Sequence, residues 1–290
     1  MPDEKKSRPS GCPMHAAPTL LGEGELSYND YLKVPELLSL QLPQSNPAHH
    51  DEMLFIIIHQ AYELWFKLVL HEMESAIRFM AKDKILLAHH FIHRINSIMK
   101  LLVQQIHILE TMTPIDFLAF RDRLKPASGF QSAQFREVEF VAGLKDPSYM
   151  KYFRERPEYL ALLQRRFEGP DLRSTYYALL RRQGFAIPEN AAEREAKGDD
   201  TLAGPMIQAL LPLYREPSKN SQVYILSEAL VEFDQQLSFW REHHVRVVER
   251  VIGAKQGTGG SSGVEYLRST TIKRCFPYLW QVRTHLEDGV

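Results

Sequence analysis

Cysteine is nearly absent. The 290 residues hold two, Cys12 and Cys275, far apart in the chain; a disulfide framework is excluded and a reducing compartment is the expectation. Charge of one sign is missing too. Thirty-five basic residues meet 36 acidic ones, a net −1 at pH 7, which leaves no basis for broad attraction to nucleic acid or to an anionic membrane. Apolar runs are short: the most apolar stretch is Met53–Ile58, too brief to span a bilayer. Residues 1–25 lack the apolar core of a signal peptide and, being rich in Pro and Gly, read as a disordered tail. These absences together predict a soluble, cytoplasmic protein. No C-x-x-C-H, H-E-x-x-H, E-x-x-H or Walker A pattern occurs. Covalent haem attachment, a zincin, a di-iron carboxylate bundle and a P-loop are therefore disfavoured.

What is present is helical periodicity. Apolar residues recur at three- and four-residue spacings over 50–80 and again over 85–109. Thr113-Pro114 reads as an N-cap followed by proline at the first helical position, opening a helix over 115–124. Further helices are predicted at 131–143, 157–167 and 171–183, with 188–200 as a loop and another helix running to about Tyr214. The longest pattern covers 222–252 and stops at Gly253. Alternation of the strand type is missing. The prediction is an all-α chain, one domain over 26–290 with a helical insertion at about 145–215.

Several residues could carry chemistry. His244 shares a helical stripe with Phe233, Leu237, Trp240, Val247, Val248 and Val251, while His243 points to a mixed edge. On residues alone His244 is either a core histidine bonded to a carbonyl, the commoner case, or an axial ligand to haem iron. Phe55 and His59 lie four apart on one face. They are either ordinary core or a wall that stacks an aromatic ligand and bonds its N–H. Arg121 shares a face with Phe117, Phe120 and Leu124, so it is either paired internally or clamps a ligand carboxylate. Gly257–Gly263 is a flexible linker or a nest of N–H groups, with Thr258 available to a small molecule. His89, His90 and His93 read as a solvated face.

Three strings, PAHHDEMLFIIIHQAYELWFKLVLHE (47–72), FRDRLKPASGFQS (120–132) and VIGAKQGTGGSSGV (251–264), closely resemble the tryptophan 2,3-dioxygenases. The resemblance runs from about Leu26 to the C-terminus. It implies a helical-bundle haem domain of the tryptophan/indoleamine dioxygenase type. It implies one non-covalent haem b per subunit, with His244 as axial ligand to the iron and Ser128 and Gly129 beside the cofactor. The implied reaction opens the indole C2–C3 bond of L-tryptophan with O2 as co-substrate, yielding N-formyl-L-kynurenine, the first step of the kynurenine pathway. His59 is implied as the catalytic-site histidine that bonds the indole N–H. The run Phe55, Ile56, Ile57, Ile58 and His59 is implied to contact the substrate, as is Phe117, with Arg121 gripping its carboxylate and Thr258 holding its amino-acid end. Phe117 stands where some bacterial relatives carry a tyrosine. A homotetramer is implied, with Tyr28 and Tyr31 reaching a neighbour's active site. Two rivals remain on the residues: an indoleamine-type dioxygenase of broader substrate range, and a haem carrier or sensor without catalysis.

Overall fold

A computed structural model describes residues 26–257 and 263–286. Its contacts divide the chain into two units, Met1–Gln41 and Leu42–Val290. The first carries two single-turn helices, α1 (Tyr28–Leu32) and α2 (Val34–Leu38). Ser27 caps α1 by accepting the Asp30 N–H at 3.1 Å. Lys33, at φ 53°, ends one helix and begins the other. Neither helix has a buried residue.

The second unit is built on long helices. α3 (His50–Met80) and α4 (Ile85–Leu109) are joined by a short turn in which Asp83 adopts φ 55°. α3 buries Ile58, Tyr62, Phe66, Val69, Met73, Ala76 and Met80, and α4 buries Ile85, Ala88, Ile92, Ile95, Met99, Leu102 and Ile106. Those spacings of three and four place one stripe of each helix in a shared core. Each large apolar side chain so buried contributes about 1.5–3 kcal/mol. α3 also corrects an expectation. By length and mean hydropathy alone this helix is long and apolar enough to cross a membrane, although its longest uninterrupted apolar run is short. Its stripe is instead spent on α4 and on the helices that follow.

α5 (Pro114–Arg121) begins with a full capping box, Thr113 and Asp116 bonding each other's backbone N–H groups. α6 (Ala133–Ala142), α7 (Pro157–Glu168), α8 (Leu172–Arg182) and α10 (Ala203–Arg215) follow. Residues 188–200 hold more structure than a loop: α9 (Ala191–Ala196) forms there. Its short polar sequence gives no apolar period. Tertiary bonds hold it, Tyr177 Oη donating to Glu195 at 2.8 Å and Arg173 pairing with Glu195 at 3.2 Å.

α11 (Ser221–Ile252) is the longest helix and packs along α4. It stops at Gly253, whose φ of 59° a side chain would resist. α12 (Val264–Thr270) and α13 (Pro277–Gln281) complete the fold. Asp234, fully buried on α11, accepts the Cys275 and Phe276 N–H groups and the Trp280 indole N–H at 2.9, 3.1 and 3.0 Å. That bond set fastens the C-terminal segment to α11. Among the described residues there is no strand.

Candidate functional site

A cavity of about 310 Å³ lies among α3, α5, α6, α11, α12 and the segment entering α6. Its size is that of an ordinary small-molecule site. α11 contributes one wall: His244 lies beside Val247, Val248 and Val251, and Trp240, one turn earlier, stacks on its ring at 5.3 Å and 23°. Among the described residues nothing hydrogen-bonds the His244 ring. Burial, reinforced by the nearby His59, holds its pKa down to about 4. The imidazole is therefore neutral at pH 7 and keeps an uncommitted lone pair on an apolar wall. That combination suits coordination of a haem iron.

α3 contributes the second wall. His59 Nδ1 lies 2.7 Å from the Phe55 carbonyl oxygen. A carbonyl only accepts, so Nδ1 carries the proton and the neutral ring presents Nε2 as an acceptor. Burial lowers the His59 pKa, and the Phe55 carbonyl and the Glu63 charge partly oppose this. The ring is accessible and yet surrounded by protein, as a side chain on a cavity wall should be. Phe55 packs 4.1 Å from the His59 ring and 5.7 Å from both Phe117 and Phe120. An aromatic slot results, backed by buried Phe120.

Arg121, the last residue of α5, lines the same cavity. Its Nη2 donates to the Gln256 carbonyl, and its buried Nε has no partner. An orphaned guanidinium donor costs free energy unless a ligand completes it, and a carboxylate matches its geometry. Ser128 and Gly129 are also on the wall, where a Cβ at Gly129 would meet nothing within 4 Å. Gly257 and Gly263 line it from either end of the glycine tract; Thr258 lies outside the described residues.

The structure thus brings together Phe55, His59, Phe117, Arg121, Ser128, Gly129 and His244. It does not bring Ile56, Ile57 or Ile58 to the cavity wall. Successive helical residues turn by about 100°, so only the first and fifth of the run share that face. Ile58 instead enters the core, and Ile57 is half exposed. Tyr28 and Tyr31 sit on α1 of the first unit.

Residue spacing left other wall residues unremarked. Glu63 follows His59 by one turn and lines the cavity, a position the same i,i+4 rule could have found. Arg136 and Arg241 both bond the buried Glu139, Arg241 at 2.8 Å, and each leaves its Nε unpartnered. Two guanidiniums on one carboxylate leave a surplus positive charge at that end, where an anionic group would be welcome. No sequence pattern announces this cluster, because α6 and α11 meet only in the folded chain.

A family model described as tryptophan 2,3-dioxygenase matches residues 14–186 and 190–286. The chain is 45% identical over 262 residues to the tryptophan 2,3-dioxygenase of Herpetosiphon aurantiacus, covering 90% of this chain and 98% of that one. Identity to the tryptophan 2,3-dioxygenase of Caulobacter vibrioides is 44% over 262 residues, covering 90% and 99%. The tryptophan 2,3-dioxygenase of a Nocardioides species is 45% identical over 267 residues, covering 90% and 95%. A neutral imidazole on an apolar wall, an aromatic slot with an acceptor nitrogen and a partly unpaired arginine agree with these matches: the chain belongs to the tryptophan 2,3-dioxygenase family.

Proposed function

We propose that this cavity binds haem and L-tryptophan, and that the protein is a dioxygenase that opens the indole C2–C3 bond with O2 to give N-formyl-L-kynurenine. The observation that carries this reading is the pairing of two differently prepared histidines on one cavity. His244 offers a free lone pair to a metal, and His59 offers Nε2 to a donor.

In this reading His244 holds the haem iron, and Ser128 and Gly129 flank the macrocycle. The iron supplies the one-electron chemistry that lets O2 react with a closed-shell indole. The chain supplies orientation. Arg121 takes the substrate carboxylate, its unpaired Nε completing a charge-assisted bond. Phe55 and Phe117 bracket the indole ring, and His59 Nε2 accepts the indole N–H. An indole N–H is a very weak acid, so that bond positions the ring without requiring full proton removal. Apolar walls exclude water. Both oxygen atoms are retained in the product, so no leaving group or net proton must be exported.

The same reading includes Thr258 at the amino-acid end of the substrate and a homotetramer in which Tyr28 and Tyr31 serve a neighbouring site. The buried free thiol of Cys275 supports a cytoplasmic setting.

The test is spectroscopic and chemical. Haem-supplemented protein is expected to show a Soret band that shifts on adding L-tryptophan, and to form N-formyl-L-kynurenine when O2 is admitted. A Soret band without product would leave a haem carrier; no Soret band would remove the proposal.

A further inference from the structure

Glu63 has no part in the chemistry above, yet it joins three pieces of the cavity. It stands one helical turn beyond His59 on the same face of α3 and lines the same space. Ser132 Oγ donates to its Oε1 at 2.6 Å, and Gln134 Nε2 donates to its Oε2 at 2.8 Å. Both oxygens act as hydrogen-bond acceptors. Gln134 Nε2 also reaches the Glu63 carbonyl oxygen at 3.0 Å. Ser132 is in turn the N-cap of α6, its Oγ accepting the Phe135 N–H at 3.2 Å. Ser132 closes the short turn Gly129–Gln131, which follows Ser128 along the wall. The Glu63 carboxylate therefore pins the start of α6, and with it the 128–130 wall, to the helix that bears His59.

Its charge matters as well as its bonds. Besides His59, the other charged or titratable side chains on the cavity among the described residues are Tyr62 from α3, Arg121 from α5, Arg136 and Glu139 from α6, Arg241 and His244 from α11, and Tyr266 from α12; burial raises the pKa of both phenols, so they stay neutral. Glu139 is already shared by two guanidiniums. Glu63, bonded only by neutral donors, keeps its negative field, and it stands one turn from the imidazole. A negative charge near the ring enriches the lone pair on Nε2 and strengthens it as an acceptor.

We propose that Glu63 is a positioning residue for the reaction: it fixes the 128–130 wall to α3 and strengthens the bond from the indole N–H to His59 Nε2. The proposal rests on the reading of His59 given above. It acts through His59 and the wall, without touching the substrate.

The test uses the haem-loaded enzyme and two ligands, L-tryptophan and N1-methyl-L-tryptophan, which lacks the N–H. Affinities are read from the ligand-induced change in the haem spectrum without O2. Glu63→Gln is expected to weaken L-tryptophan roughly twofold to threefold, a fraction of the one modest hydrogen bond that Glu63 strengthens, and to leave the N1-methyl ligand unchanged. Without the negative charge His59 is less basic, so the acid loss of L-tryptophan binding should move to lower pH. Gln134→Ala, which leaves the Glu63 charge and its bond from Ser132 in place, should keep most of the preference for L-tryptophan and leave the acid limb where it was. Equal weakening of both ligands, or an unmoved acid limb, reduces Glu63 to a structural clasp and overturns the proposal. If the unsubstituted enzyme and His59→Ala favour L-tryptophan over the N1-methyl ligand equally, the His59 reading itself fails and the proposal falls with it. That outcome is recognisable because it needs no change at Glu63.

Discussion

Two histidines look into one cavity, from α11 and from α3, and burial depresses the pKa of both. Only one is tethered. His59 gives its Nδ1 proton to a carbonyl one turn back, which selects the tautomer and leaves a single acceptor atom facing the space. His244 has no such bond among the described residues and is oriented by packing against Trp240 and the valines of its stripe. A ring that must accept a hydrogen bond gains from a fixed tautomer. A ring that binds metal needs one lone pair free and its plane held; a partner on the other N–H ordinarily does the holding, and at His244 the stacked Trp240 does it. The same side chain is thus prepared for two tasks by what its other nitrogen touches.

That contrast can be broken most forcefully at His244. His244→Ala should abolish the Soret band of the haem-supplemented protein and all turnover; normal haem content would erase the distinction between the rings. Arg121→Ala comes next. Losing a charged bond of roughly 1.5–3 kcal/mol should raise KM for L-tryptophan roughly 10- to 150-fold while the Soret band stays, as steady-state kinetics and an absorbance scan would show. His59→Ala should also keep its haem, and should weaken L-tryptophan roughly threefold to tenfold, as expected for a neutral hydrogen bond. Haem loss in this variant would mean that both rings serve the metal.

A pH titration of the haem-free protein sharpens the point. His244 has a folded pKa of about 4 against an ordinary 6.5, so the unfolded chain takes up the proton first. Its contribution to stability is complete above about pH 6.5 and is lost as pH falls toward 4. His59, shifted the same way, adds to the loss. Melting temperature should therefore decline through that window, and His244→Phe should flatten the decline. Smallest of all should be the effect of His243→Ala. This ring sits beside His107 at 5.4 Å, off the cavity, and its removal should leave the Soret band intact.

Much of this was legible beforehand. The α3 and α4 periods give their own boundaries, because a stripe at three- and four-residue spacing has to face a core. Thr113-Pro114 and Gly253 mark ends by local chemistry. The Phe55–His59 and Trp240–His244 pairs follow from one-turn geometry. α9, α12 and α13 were not legible: they are short, and α9 depends on a bond from Tyr177 and a pair with Arg173. The three isoleucines between Phe55 and His59 show the converse. A contiguous run in sequence is not a contiguous face on a helix.

By itself the sequence determined the helices, the stripes they bury and the identity of the family, since periodicity, caps and long motifs are local properties written along the chain. Tertiary structure alone decided which nitrogen of His59 is the acceptor, that the Arg121 Nε lacks a partner, and that Glu139 is shared by two arginines. Those facts depend on distances between groups far apart in the chain or on the precise placement of single atoms. Hydrogen bonds and burial act over a few ångströms, and folding alone brings such atoms that close.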